Sequence, residues 1–230
     1  MNILAFGEVL WDVIEGNYYL GGAPLNFAAH SVKCGIPAGI ISAIGVDDLG
    51  YKTKKKIEQL NVNTDLLQEN EDKSTGVVNV SLKNGEPTYS ITQEVAYDYI
   101  ELNNENIYEI RKYDCFYFGT LSQRSSVNRQ TLDYILTNNS FKLIFLDLNL
   151  RQSFYSKEIL EFSFNNCTVL KLNENEADVV SELFFSIHLK EEEFTKKLFK
   201  KFNNISVIII TKGAEGCVVF SEDEHVFIFS

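Results

Sequence analysis

The sequence predicts an α/β fold, a doubly wound three-layer sandwich built on a mostly parallel sheet. Short apolar runs rich in β-branched and aromatic residues recur along the chain, mostly separated by segments with helical periodicity. The runs are nearly continuous in hydrophobicity, which is typical of parallel strands covered on both faces by helices. The predicted strands cover residues 3–6, 39–44, 115–118, 143–146, 168–172, 207–210 and 217–220.

The helices are predicted from apolar residues at helical spacing. Leu25, Ala28 and Val32 repeat every three or four residues before Gly35 and Pro37 end the helix. The same spacing over 132–136, ahead of two asparagines, indicates another helix. The lysine-rich stretch 52–56 is typical of the solvated face of a helix, not of a binding surface.

One region departs from this alternation of strands and helices. Residues 75–82 and 87–93 alternate apolar and polar side chains around a turn at 83–86, which is typical of an antiparallel hairpin. Together with residues 12–20 it is expected to form a small separate antiparallel sheet that covers the main crevice as a β lid. The alternative is an edge hairpin of the main sheet. We therefore expect one domain over residues 1–230, with a lid formed by about 12–20 and 75–97.

Composition narrows the class of protein. With 230 residues, 45% hydrophobic and 13% aromatic, the chain suits one large globular domain. A formal net charge of −11 without a basic block excludes a nucleic-acid binder. No apolar run is long enough for a signal peptide or membrane span. The four cysteines lack C-x-x-C pairing, so we expect reduced, buried thiols and a cytoplasmic protein.

The chemistry should lie beyond the carboxyl ends of the strands, where open α/β sheets bind their ligands. Glycines, carboxylates, amides and cations concentrate there, which predicts a ligand site. The residues that follow the predicted strands include Gly7, Glu8, Asp12, Gly45, Asp47, Asp48, Gly119, Thr120, Gln123, Arg124, Asp147, Asn149, Arg151, Asn173, Glu176, Thr211, Lys212, Gly213 and Gly216.

The substrate side of the site is expected around the adjacent glycines Gly21 and Gly22. Without a Cβ, they allow backbone amides to approach a ligand closely, next to the start of a helix. Asp12 supplies two acceptors that suit paired sugar hydroxyls, and Asn26 adds a donor and an acceptor. The alternatives are a solvated loop carboxylate for Asp12 and a helix cap for Asn26.

Two further residues belong to this side of the site. We expect Arg124 to contact the substrate. Trp11 either stacks on a sugar face or packs beneath the lid.

The phosphate side is expected further along the chain. Asn173 and Glu176 have the spacing of a capping box, and Glu176 is alternatively an organiser of Mg²⁺ through water. Arg151 is either a forked cation for a transferring phosphoryl group or a surface ion-pair partner of Asp147.

The stretch 211–216 is either a tight turn between two strands or a nucleotide loop. In a nucleotide loop, backbone amides and the Thr211 hydroxyl would face phosphate or ribose. It matches neither a Walker A sequence nor a G-x-G-x-x-G fingerprint.

The spaced positions from Gly21 to Gly45, with Gly-Gly-Ala-Pro-x-Asn at their start, resemble the first signature of the ribokinase-like (PfkB) carbohydrate kinases. The Asp-x-Asn-x-Arg stretch at 147–151 is similar to the fructokinase branch. The resemblance implies ATP-dependent phosphorylation of a sugar hydroxyl with Mg²⁺. It places Asp12, Gly22 and Asn26 on the sugar, and it places Arg151, Asn173, Glu176, Thr211, Gly213 and Gly216 on Mg-ATP. It also suggests, by analogy alone, a homodimer through the lid.

The second signature of that family, a Gly-Ala-Gly-Asp stretch, has no counterpart in the sequence and by family position would follow Ser230. Its aspartate is the general base and its helix start is the anion hole, so we expect little phosphorylation by these 230 residues alone. Two interpretations remain: a fructokinase-like enzyme represented by part of its chain, or a non-catalytic sugar-binding remnant. The sugar itself stays open between fructose, 2-keto-3-deoxygluconate and related polyols.

Overall fold

Strands and helices alternate along the chain in a computed structural model that describes residues 1–83, 86–221 and 224–229. The chain divides into two compact units, one formed by Met1–Tyr117 and Arg124–Phe141 and the other by Phe118–Gln123 and Lys142–Ser230. Each unit has its own set of buried strands.

The first unit begins with three strands and a helix: β1 Ile3–Phe6, β2 Leu10–Ile14, β3 Asn17–Gly21 and α1 Ala23–Lys33. It continues with β4 Ala38–Gly45, α2 Asp48–Gln59, β5 Leu67–Asn70, β6 Gly76–Lys83 and β7 Glu86–Ile91. A 3-10 turn at Ala96–Asp98, helix α3 Asn104–Ile110, strand β8 Cys115–Gly119 and helix α4 Ser126–Asn138 follow. The last two residues of β8 already belong to the second unit.

The large sheet of the first unit has the strand order β8-β1-β4-β5. Strand β4 runs parallel to β1, with Ile3 opposite Ala38, and parallel to β5, with Ser42 opposite Leu67. Leu4, Phe6 and Ile40 are fully buried, as expected for strands covered on both faces. The parallel register brings the ends of β1 and β4 to one edge of the sheet.

A second, smaller sheet in the same unit has the order β3-β2-β6-β7, and we call these four strands the small sheet. The prediction of a separate sheet is confirmed, and the alternative of an edge hairpin is wrong. The predicted antiparallel arrangement needs one correction, because the central pair β2 and β6 is parallel while β2 with β3 and β6 with β7 are antiparallel. Between β2 and β6 the chain passes through β3, α1, β4, α2 and β5, so no tight turn joins the two strands. The middle of the predicted turn, residues 84 and 85, lies outside the described residues.

The second unit contains most of the 3-10 turn Leu121–Arg124, whose last residue belongs to the first unit. It continues with β9 Leu143–Asp147, α5 Lys157–Asn165, β10 Val169–Asn173 and α6 Glu174–Phe185. Helix α7 Glu191–Lys201, β11 Val207–Thr211, β12 Cys217–Phe220 and β13 His225–Ile228 complete it. Its strand order is β13-β12-β11-β10-β9, with β9, β10 and β11 parallel and the last two pairs antiparallel.

The fold class is therefore confirmed as α/β, with a large, mostly parallel sheet and a smaller second sheet. All seven predicted strands are present, each within one residue of its predicted bounds. Strands β5 and β13 were not predicted. Residues 222, 223 and 230 lie outside the described residues.

The four thiols are free, but the prediction that all are buried is wrong. Cys115 and Cys167 are buried, and burial raises the pKa of their thiols to about 11 and about 12. Cys217 is half-buried, and Cys34 is exposed because it caps the end of α1, where the chain turns at the surface.

Candidate functional site

Helix α1 begins directly at the paired glycines. Gly22 precedes its first residue with φ 109°, a conformation that favours glycine, and a Cβ at Gly22 would lie 2.3 Å from the carbonyl oxygen of Glu8. A Cβ at Gly21 would lie 2.7 Å from Oδ2 of Asp12. Both glycines therefore make room for protein atoms, whereas the sequence predicts that they make room for a ligand. They bring Glu8 and Asp12 against the start of α1.

Asp12 lies in strand β2 and is half-buried, with its carboxylate against Gly21. The alternative of a solvated loop carboxylate is wrong. Asn26 is exposed at the end of the first turn of α1, and its backbone N–H donates to the carbonyl of Gly22 at 2.9 Å. Since the helix already begins at Ala23, the alternative of Asn26 as its cap is wrong too.

Glu8, which follows β1, is buried at the same place. Its Oε1 accepts a hydrogen bond from the amide of Ala23 at 3.2 Å. A carboxylate at the positive end of a helix is stabilised by the exposed amides there. Glu8 thus anchors the first turn of α1, on which Asn26 is carried.

Trp11 faces away from Asp12. It is 2% exposed, its Nε1 donates to the Thr53 hydroxyl at 2.7 Å, and the Lys56 ammonium lies 4.7 Å from its ring centre. Adjacent residues of a strand point to opposite faces, so Trp11 packs on α2 while Asp12 faces the other side. Of the two interpretations offered for Trp11, packing beneath the small sheet is confirmed.

Arg124 is 7% exposed and is held by protein groups. Its Nε donates to Oδ1 of Asp98 and its Nη2 to Oδ2, both at 2.8 Å. The same Nη2 lies 2.7 Å from the carbonyl of Thr92, just after β7, and 2.9 Å from the Tyr97 hydroxyl. Burial alone would lower the pKa of Arg124, but the Asp98 carboxylate raises it. Arg124 was predicted as a substrate contact, and this stays a prediction; in the structure its guanidinium is bound to the segment that leaves the small sheet.

Asp47 connects the end of β4 to the entry of the small sheet. Its Oδ1 accepts from the Gly50 amide at 2.7 Å and caps α2, and its Oδ2 accepts from the Thr75 amide at 2.8 Å. The Thr75 hydroxyl donates to Asp47 at 2.8 Å and accepts from the Gly45 amide at 3.0 Å. Burial alone would raise the pKa of Asp47, but these hydrogen bonds outweigh it and hold the pKa below 3.8. The stretch 45–50 therefore has a structural role.

In the second unit, Glu176 links two loops. Its Oε2 accepts from the Asn173 amide at 2.9 Å, and the Asn173 side chain accepts from the Glu176 amide at 2.9 Å, so the predicted capping box is confirmed. Its Oε1 accepts from the amide of Leu150 at 2.8 Å. The buried carboxylate thereby holds the loop that carries Arg151.

Arg151 is exposed, and its Nη1 donates to the carbonyl of Leu150 at 3.2 Å. Asp147 pairs with Lys171 at 2.9 Å, so the alternative of an Arg151–Asp147 ion pair is wrong. The loop is bent by Asn149 at φ 43° and Gln152 at φ 47°, both in the left-handed region.

The stretch 211–216 joins the antiparallel strands β11 and β12, so the prediction of a tight turn is confirmed. The amides of Lys212, Glu215 and Gly216 close the turn on its own carbonyls. Thr211 lies beside Asn173 in the parallel register of β10 and β11.

The two glycines of this turn have positive φ, 58° for Gly213 and 102° for Gly216. A Cβ at Gly216 would lie 2.0 Å from the carbonyl oxygen of Ile228. The second unit thus brings together the capping box, the Arg151 loop and Thr211.

The Glu176 carboxylate is the candidate group for Mg²⁺, and its oxygens are already engaged. Both Glu176 oxygens already accept backbone N–H groups, and within residues 1–83, 86–221 and 224–229 no three His, Cys, Asp or Glu side chains form a metal-binding group. Such a carboxylate suits contact with a hydrated magnesium ion through water. In the same described residues, no helix is long and apolar enough to cross a bilayer.

The chain was compared with known proteins. The model of the pfkB family carbohydrate kinases matches residues 2–230. A Pyrococcus horikoshii protein named as a sugar kinase, PH1459, is 28% identical over 192 residues, which are 76% of this chain and 62% of that protein. An ATP-dependent 6-phosphofructokinase of Thermoanaerobacterium thermosaccharolyticum is 25% identical over 98% of this chain and 73% of its own length. The chain thus spans about three fifths of the length of the first of these relatives.

Solved structures show the same fold. The uncharacterized sugar kinase PH1459 in complex with ATP aligns with a TM-score of 0.84 at 24% identity, over 99% of this chain and 76% of that one. Fructokinase from Vibrio cholerae O395, in a form bound to fructose, ADP and calcium, aligns with a TM-score of 0.82 at 17% identity, over 100% of this chain and 76% of that one.

Proposed function

The chain belongs to the pfkB family of carbohydrate kinases, and from that premise we propose that it serves ATP-dependent phosphorylation of a hydroxymethyl group on a small sugar, with fructose as the substrate. The first unit would bind the sugar, and the second would bind the nucleotide phosphates. The free cysteines of the chain are compatible with a reducing, cytoplasmic setting.

On the sugar side, Asp12 would accept hydrogen bonds from two neighbouring hydroxyls, because an ionised carboxylate offers two acceptor oxygens. Gly21 and Gly22 would keep that carboxylate close to the start of α1. Asn26, exposed on the first turn, would add one donor and one acceptor. Arg124 would act through Asp98 and Thr92, by fixing the small sheet that carries Asp12.

On the phosphate side, Arg151 would stabilise negative charge on the transferring group with its exposed guanidinium. Glu176 would hold the Arg151 loop and orient hydrated Mg²⁺, which when bound would neutralise phosphate charge. Since the amides of Lys212, Glu215 and Gly216 close the turn itself, the Thr211 hydroxyl and the Gly213 amide would contact the nucleotide, and Gly216 would shape the turn with its positive φ. We assign the proton acceptor for the sugar hydroxyl to none of the described residues.

The proposal depends most on one observation: the half-buried Asp12 carboxylate lies against Gly21, beside the start of the helix that carries Asn26. Carboxylate, amide and accessible backbone together form a set suited to a polyol.

Calorimetric titration with fructose tests the proposal. The 230-residue chain should bind fructose, and Asp12→Ala should weaken binding at least about tenfold, since a hydrogen bond to a charged group contributes roughly 1.5–3 kcal/mol. Asp133→Ala is the matched control, because Asp133 is exposed on α4 in the same unit. Absence of fructose binding, or equal binding by Asp12→Ala, would refute the assignment.

A further inference from the structure

Strand β3 places Tyr19 directly opposite Asp12. The antiparallel register of β2 and β3 pairs Asp12 with Tyr19 and Val13 with Tyr18. Directly opposed residues project from the same face of a sheet, with Cβ atoms about 4.5–5.5 Å apart. Tyr19 is 54% exposed, so a large part of its side chain is accessible to solvent beside the Asp12 carboxylate.

The neighbouring Tyr18 provides an internal contrast. It is 52% exposed, nearly the same as Tyr19, but it shares the opposite face with Trp11, whose ring it contacts edge-on at 6.4 Å. Trp11 itself is buried against α2 and is therefore not accessible on the Asp12 face. On that face, the accessible aromatic side chain directly opposite Asp12 is Tyr19.

The charge of this face favours a neutral ligand. Among the residues of the small sheet whose side chains the structure describes, those that share the face of Asp12 include no lysine or arginine; they are Leu10, Ile14, Asn17, Tyr19, Gly21, Gly76, Val78, Val80, Tyr89 and Ile91. Arg124, the cation that the sequence suggested, is engaged by both oxygens of Asp98. An anionic sugar acid or sugar phosphate would be repelled by Asp12.

We propose that Asp12 and Tyr19 form a pair that selects neutral, cyclic sugars. The carboxylate would accept hydrogen bonds from hydroxyls at the ring edge, and the phenol ring would cover the apolar C–H face of the same sugar ring. This inference rests on the proposed sugar-binding function of the site. It goes further by favouring a ring-form ketose over an anionic acid such as 2-keto-3-deoxygluconate.

Calorimetric titration of the full 230-residue chain with fructose and with 2-keto-3-deoxygluconate tests it. Tyr19→Ala should raise the fructose Kd about five- to tenfold, the effect expected when partial burial of an aromatic ring is lost. Tyr19→Phe keeps the ring and Tyr18→Ala changes the opposite face, so both should stay within about twofold of the wild type. The wild type should bind fructose at least about tenfold more tightly than the acid.

Different outcomes separate this inference from the proposed function. One outcome is that the wild type binds fructose, that Asp12→Ala does not bind it, and that Tyr19→Ala binds it as tightly as the wild type. This outcome refutes the Asp12–Tyr19 pair and leaves the proposed sugar site intact. Equal loss in Tyr18→Ala and Tyr19→Ala, or tighter binding of the acid than of fructose, also refutes the pair. A wild type that binds neither compound refutes both proposals.

Discussion

The Arg124 guanidinium holds the Asp98 carboxylate through two parallel hydrogen bonds of 2.8 Å, with both side chains less than a tenth exposed. The partners are 26 residues apart, one at the end of a 3-10 turn and the other just after the small sheet. Asp98 is further fixed by the Val95 amide, which donates to Oδ2 at 3.2 Å. The pair thereby ties the segment after β7 to the end of the 3-10 turn that lies ahead of α4.

Arg124→Met is expected to lower the free energy of unfolding by about 3–5 kcal/mol, because it leaves a buried carboxylate without its counter-charge. Denaturant unfolding measures the difference. Arg111→Met is the matched control, since Arg111 is exposed after α3 and its loss should cost less than about 0.5 kcal/mol. Equal stabilities of the two variants would show that the ion pair does not stabilise the fold.

Asp47→Ala is expected to destabilise the chain by about 1–3 kcal/mol near neutral pH, because it removes a helix cap and the acceptor for Thr75. The pKa of Asp47 is lowered in the folded state, so its stabilising contribution is present above 3.8 and is lost as the pH falls through the lowered value. Urea unfolding at about pH 6 and about pH 3 should therefore show a gap between wild type and variant that shrinks on acidification. A gap independent of pH would contradict this assignment.

Gly22→Ala and Gly35→Ala distinguish a steric clash from backbone strain alone. Both glycines have positive φ, 109° and 81°, but a Cβ at Gly35 meets nothing within 4 Å, whereas one at Gly22 meets the Glu8 carbonyl at 2.3 Å. Gly35→Ala should cost about 1–2 kcal/mol from strain, and Gly22→Ala should cost a further 1–3 kcal/mol or so from overpacking. Thermal unfolding ranks the two, and a larger loss for Gly35→Ala would show that the contact with Glu8 relaxes freely.

Glu176→Gln preserves the size of the side chain but replaces one acceptor oxygen with a donor. Since both oxygens accept backbone N–H groups, one of the bonds to Leu150 and Asn173 must be lost, at a cost of about 1–3 kcal/mol. Glu174→Gln is the control, because the neighbouring Glu174 is exposed and pairs with the Lys212 ammonium at 3.4 Å, not with the Leu150 loop. Hydrogen exchange at the Leu150 amide should increase in the first variant and stay unchanged in the second. If Glu176→Gln leaves hydrogen exchange at the Leu150 amide unchanged, Glu176 does not hold the loop that carries Arg151.

Strands β1, β4 and β8 are buried along their whole length, and for them continuous hydrophobicity is itself the signal in the sequence. Strand β10 begins one residue later than predicted, at Val169. Strand β5 lacks this signal, because its sequence LQEN is mostly polar and it lies at the edge of its sheet. Local caps such as Asn173 with Glu176 were also predictable, since both partners lie within one turn.

The partners of the site residues were not predictable, because they come from distant parts of the chain. Nothing near Asp47 indicates that Thr75 is its partner, 28 residues away, and nothing near Arg124 indicates Asp98. Tyr19 was missed for a different reason. Its position opposite Asp12 depends on the exact register of residues 10–14 and 17–21 around Glu15 and Gly16, which the pattern of residue types alone does not fix.

Trp11 is the only tryptophan in the chain, and its indole is enclosed between strand β2 and helix α2 with its N–H bonded to Thr53. Its emission should therefore be blue-shifted in the native state and should move to longer wavelength when the small sheet separates from α2. The protein thus has a built-in optical probe of that contact. Tryptophan fluorescence can therefore follow the separation of the small sheet from α2 without a label, and it can distinguish this event from unfolding of the rest of the chain.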